Sequence, residues 1–107
     1  METIVVLTIP ADHAAFAGHF PGNPIVPGVV LLDESLHSIA TALAAPVAQC
    51  TIVAAKFLSA AHPGESLQLH FEHGDQQRVS FTIHAADRRI ATGVVSIPTL
   101  AVRPSAG

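Results

Sequence analysis

Charge is scarce in this chain of 107 residues, and cysteine is scarcer. Only 12% of the residues are charged, against 50% that are hydrophobic. The five cations (Lys56, Arg78, Arg88, Arg89 and Arg103) are scattered, and the net charge is −3. Nucleic-acid binding draws on several phosphate-facing cations, so no nucleic acid is expected as a partner. The single cysteine, Cys50, excludes an intramolecular disulfide and fits a reducing compartment, so a cytoplasmic location is expected. The start, METIVVLTIP, has no positive n-region and soon meets a proline, so it does not read as a signal peptide. The longest wholly apolar run is too short to span a bilayer, and no membrane association is expected. Neither an internal repeat nor a low-complexity segment is visible.

The length suits one domain, residues 1–107, with a single thin core. So apolar a chain with so little charge is short of polar surface, which favours burial of some apolar area against another subunit. Small Ala and Val side chains raise hydrophobicity without making a sticky patch, and that is the plainer account.

Thr3–Ile9 is apolar and β-branched, so it predicts a strand ended by Pro10. Residues 11–17 could form one short helical turn. Residues 18–28 hold three prolines and three glycines, which excludes both helix and central strand. From Gly28 the pattern changes. Val29, Leu32, Leu36, Ile39, Ala40 and Leu43 recur at helical spacings, and the rest of the face is apolar too. The reading is one long helix over 28–45, started by Pro27, closed by Pro46 and wrapped by other structure. The remainder predicts about four antiparallel strands joined by hairpins: 50–59, then Leu67/Leu69/Phe71, then Val79/Phe81/Ile83, then 90–97. Together these give an α+β fold, a curved antiparallel sheet round one helix.

Chemistry concentrates in residues 18–37. His19 sits in a proline-locked loop, and histidine is the common general base near neutral pH. Gly28 opens a helix whose first turn offers free backbone N–H groups to a developing oxyanion. Asp33 follows four apolar residues, and a carboxyl group desolvated there suits a general acid. The plainer alternatives are a turn histidine and a carboxylate facing the helix dipole. Burial of Asp33 is what favours a catalytic role, because a buried carboxylate without a task is costly.

The stretch His19-Phe20-Pro21-Gly22-Asn23-Pro24-Ile25-Val26-Pro27-Gly28, continuing to Asp33, resembles the signature of the 3-hydroxyacyl-acyl-carrier-protein dehydratases of bacterial fatty-acid synthesis. That signature has an HFPG block, then P, then PG, then an acid fourteen positions after the histidine, where Asp33 stands. Lys56-Phe57, Pro63-Gly64-Glu65 and Leu67 resemble the family's later strand–PGD–strand pattern. The resemblance implies the hotdog fold, no cofactor, and dehydration of a 3-hydroxyacyl thioester carried on acyl carrier protein, for fatty-acid or related polyene or polyketide synthesis. It implies that His19 removes the C2 proton and that Asp33, from a partner subunit, protonates the departing hydroxyl. Gly28 would bind the thioester oxygen, with Val29, Phe20 and Pro27 around the substrate. A homodimer or higher even-numbered oligomer follows from that division of labour.

Two departures stand out. Where the family usually has glutamine four residues after the acid, this chain has His37, placed to support Asp33 across one helical turn. There is no tyrosine, so a tyrosine lid over the acyl tunnel is absent. Glu34 points about 100° away from Asp33, so one of the two faces the loop histidine. His70 and His73 fall on opposite strand faces, which argues against a metal site. His13, His62 and His84 read as surface or turn residues, and Cys50 as a small core residue. Arg88, Arg89 and Lys56 are the candidates for meeting an acidic carrier protein. The competing functions are a hotdog thioesterase and a non-catalytic acyl-binding subunit.

Overall fold

The computed structural model describes residues 2–9, 26–62, 64–74 and 76–97. Strand β1 (Glu2–Thr8) comes first, and helix α1 (Gly28–Ala42) follows the undescribed residues 10–25. A 3-10 turn (Val47–Gln49) leads to β2 (Thr51–Phe57), β3 (Ser66–His73), β4 (Arg78–Ala85) and β5 (Arg88–Ser96). All neighbours in the sheet are antiparallel, in the order β1-β3-β4-β5-β2. One helix held against one curved antiparallel sheet is the α+β hotdog fold. The proposed turn over 11–17 lies outside the described residues.

Period-two patterning builds the middle of the sheet. Leu67, Leu69 and Phe71 on β3, and Val79, Phe81 and Ile83 on β4, point inward and are buried. Ser66, Gln68 and Glu72 on β3, and Arg78 and Ser80 on β4, alternate with them and are exposed. Leu31 and Ile39 of α1 join this core, with Ile90 and Val95 of β5. Gly93 is required by close approach, because a Cβ there would lie 2.6 Å from the Ala54 carbonyl oxygen and from the Phe81 ring.

Three expectations are corrected. The helix ends at Ala42, not residue 45. Ala44 turns left-handed (φ 54°), and the Ala45 N–H reaches back to the Ala40 carbonyl at 2.9 Å, a Schellman-type stop without the usual glycine. Next, β2 and β3 do not form a hairpin. The connection over 58–65 is too long for a tight turn and carries the chain from the edge beside β5 to β3 beside β1. Finally, the helix is not covered all round. Leu31, Ser35, Ile39 and Ala40 are buried, whereas Val29, Asp33, His37 and Thr41 are exposed. No described helix is long and apolar enough to cross a membrane.

Candidate active site

The start of α1 is fixed from the sheet side. Val26 is 4% exposed, and its N–H donates to the Ala61 carbonyl at 2.8 Å. Pro27 (φ −59°) is the N-cap residue, without a side-chain capping bond. Its carbonyl accepts from the Val30 N–H at 3.0 Å and the Leu31 N–H at 3.2 Å. The N–H groups of Gly28 and Val29 come earlier and have no acceptor within the helix. They are the free donors of the terminus, where the backbone dipole is positive.

Gly28 faces the Phe57 ring. A Cβ there would lie 2.7 Å from Phe57 Cζ, so the absence of a side chain lets the ring lie against the helix start. Beside this contact is a cavity of about 350 Å3, lined by Val26, Gly28, Leu31, Phe57, Ser59 and Ala61 among others. The lining is mainly apolar, so an acyl chain fits it better than a charged group. A second hollow of about 320 Å3 lies between β1 and α1, where Val5, His37, Ser38, Thr41 and Ala42 meet.

Asp33 is five residues beyond Gly28, which turns it about 140° round the helix. Its side chain is 62% exposed. The expectation that Asp33 is buried is therefore corrected for a single chain. Of the four apolar residues before it in sequence only Leu31 is buried, Val30 and Leu32 are half-buried, and Asp33 lies on the outward stripe. Val29 is 73% exposed on that same outward side. Gly28 thus lines the cavity, while Pro27, Asp33, His37 and Val29 are not among its lining residues. His19 and Phe20 lie outside the described residues.

His37 does reach Asp33, chiefly through the backbone. Its Nδ1 is 2.8 Å from the Asp33 carbonyl oxygen and 3.4 Å from Oδ1. A carbonyl only accepts, so Nδ1 carries the proton in this contact and Nε2 is left to accept when the ring is neutral. Cys50 donates weakly from Sγ to the Pro46 carbonyl at 3.4 Å, and burial pushes its thiol pKa up, which disfavours a nucleophilic thiolate. Among the described residues, no three His, Cys, Asp or Glu side chains converge on a metal position.

Sequence reasoning placed Phe57 only within a strand pattern. Its signal was the glycine at a helix start, which calls for something packed closely against it. Arg88 was expected as one of three candidate docking cations. Its guanidinium is engaged within the chain by Ser59, Ala60 and Glu65.

Residues 1–94 match the ApeI-like family, described as ApeI dehydratase. The chain is 31% identical over 103 residues to the 3-hydroxyacyl-acyl-carrier-protein dehydratase FabZ of Rhizobium rhizogenes, covering 89% of this chain and 64% of that protein. It is 38% identical over 80 residues to the FabZ of Lactiplantibacillus plantarum, covering 66% and 54%. The chain therefore spans between about half and two thirds of the length of these curated relatives. Among solved structures, it resembles a chain of the dehydratase heterocomplex ApeI:P from Xenorhabdus doucetiae. The TM-score is 0.72 at 24% identity, over 90% of this chain and 86% of that one, a likeness of fold.

Proposed function

Because the chain belongs to the ApeI-like dehydratase family, we propose that it removes water from a 3-hydroxyacyl thioester to give the trans-2-enoyl thioester. The observation that carries this reading is the start of α1: Gly28, whose N–H has no acceptor within the helix, lines an apolar cavity walled by Phe57. The thioester carbonyl accepts from this terminus, which stabilises the enolate-like charge formed when the C2 proton leaves. His19 takes that proton as general base. The C3–O bond then breaks, and Asp33 protonates the departing hydroxyl, which leaves as water. His19 ends as imidazolium and Asp33 as carboxylate, and loss of the proton from His19 with return of one to Asp33 resets the pair.

Asp33 faces away from its own Gly28, so the acid is supplied by a second copy of the chain. The exposed stripe of α1 and the exposed strand β2 are the surfaces that the second copy covers. The carrier of the substrate is an acyl carrier protein, as the names of the FabZ relatives suggest. With Arg88 engaged internally and Lys56 on β2, Arg89 remains as the docking cation on an exposed position outside the surfaces that the second copy covers.

Purified protein incubated with 3-hydroxyacyl and enoyl thioesters on carrier protein tests the reading by mass spectrometry. The expected result is gain or loss of one water with the thioester intact. Release of free thiol, caught by a trapping reagent, would instead make the chain a thioesterase. No conversion of any chain length would leave an acyl-binding subunit.

A further inference from the structure

The connection between β2 and β3 holds two points that are far apart in sequence. The Gly64 N–H donates to the Ile9 carbonyl at 2.7 Å, and the Ala61 carbonyl accepts from the Val26 N–H at 2.8 Å. All three apolar partners are buried: Ile9 is 2%, Val26 4% and Ala61 1% exposed. Ile9 closes the end of β1, and Val26 leads into α1. In sequence they bracket residues 10–25, which include His19. One short stretch of backbone thus anchors both flanks of that segment and the helix start as well.

That stretch is itself held by one side chain from the start of β5. Arg88 Nη2 donates to the Ala60 carbonyl at 2.9 Å and to both Glu65 carboxylate oxygens at 3.0 Å. Arg88 Nε donates to Ser59 Oγ at 3.1 Å. Glu65 Oε1 also accepts from the His62 N–H at 3.0 Å. The Leu58 and Ser59 N–H groups donate to the Ile90 carbonyl at 2.8 and 3.2 Å. An isolated surface ion pair contributes little. This one differs, because the same guanidinium also satisfies a backbone carbonyl and a hydroxyl, and several groups move together if it is lost. Burial pushes the Glu65 carboxyl pKa up. The His62 N–H and the Arg88 hydrogen bond and charge outweigh that and hold it below the usual glutamate range.

We propose that Arg88 and Glu65 are positioning residues for the dehydratase site: they fix the 58–65 connection, which in turn sets the Gly28 end of α1 and both flanks of the segment bearing His19. The catalytic consequence rests on the dehydratase reading, whereas the anchoring does not. Displacement of a reacting group by about 1 Å can lower turnover a hundredfold, so a distant clamp has leverage on rate.

The test compares Arg88→Ala, Arg88→Lys and Glu65→Gln with the full-length wild type. Glu65→Gln is the mild variant, since Arg88 retains Ala60 and Ser59. Arg88→Ala is expected to lower kcat at least about tenfold with KM little changed. Arg88→Lys recovers only part of this, because an ammonium cannot reach the four acceptor atoms that the planar fork meets. Amide hydrogen exchange should accelerate at Val26 and Gly64 while Phe81 and Ile83 stay protected. Unchanged exchange at Val26 and Gly64 would overturn the anchoring. Equal acceleration at every amide would reduce Arg88 to a general stabiliser and overturn it too. Faster exchange at those two amides with unchanged kcat would overturn the catalytic consequence. Exchange needs no substrate, so a wild type without dehydratase activity sinks the functional reading and leaves the anchoring to be decided by Val26 and Gly64.

Discussion

Strands β3 and β2 belong to one sheet and are nearly equal in length, yet the chain treats them differently. On β3, buried Leu67, Leu69 and Phe71 alternate with exposed Ser66, Gln68 and Glu72. On β2 every residue is exposed except Ile52, which is half-buried. The sequence Thr-Ile-Val-Ala-Ala-Lys-Phe is nonetheless apolar on both faces. A strand that alternates is served by its own domain. An edge strand that is apolar on both sides and open on both sides lacks a cover. The same contrast runs round α1, where the stripe with Leu31 and Ile39 is buried and the stripe with Val29, Asp33 and His37 is open. The covered half carries stability. In the proposed reaction the open half meets the second copy and carries the acid.

Substitutions that separate these halves sharpen the contrast. The largest effect is expected from Asp33→Asn in the open half. General acid catalysis contributes roughly 10²–10⁴-fold, so steady-state turnover should fall by about that factor while the melting temperature holds. Leu69→Ala in the covered half should do the reverse in kind, with a loss of about 2–5 kcal/mol in urea unfolding. A small loss there would mean that the core of β3 is less closely packed than its burial implies. Ala55→Lys on β2 should leave the isolated chain within about 0.5 kcal/mol of wild type. It should weaken self-association at least about tenfold by sedimentation. Unaltered association would move the interface away from β2.

The smallest expected effect concerns pH. The folded-state pKa of Glu65 is depressed, so its contribution to stability is complete above the ordinary glutamate range of about 4.3 and is lost as pH falls through the lower folded value. Denaturant titrations across that acid window should show a shallower pH dependence for Glu65→Gln than for wild type. Parallel curves would mean that the Arg88 contact makes no difference to the Glu65 titration.

Patterns of spacing carried much of this molecule. The alternation of β3 and β4 and the helix beginning at Gly28 were readable because burial by one's own chain leaves a period in the sequence. The end of α1 was not readable, since Ala44 adopts a left-handed conformation that glycine usually signals. The position of β2 was hidden for a related reason. Apolar residues on both faces look alike whether a strand sits in the middle of a sheet or waits at its edge for a partner. Asp33 was expected to be buried because its neighbours in sequence are apolar, but on a helix the neighbours that matter are three and four residues away. Arg88 looked like any cation in a turn, and only the fold brings it to Glu65 across the sheet's end. His19 and Phe20 rest on the motif alone.

The central claim is that one chain supplies the helix terminus and base while another supplies the acid. Mixing His19→Ala with Asp33→Ala protein under conditions of subunit exchange tests it most directly. Each variant alone should be inactive. A mixed dimer contains one site with His19 and Asp33 both intact, so the account predicts that enoyl thioester hydration returns on mixing. If verified exchange leaves the mixture as inactive as either parent, or if wild type is fully active as a monomer, the shared site is contradicted.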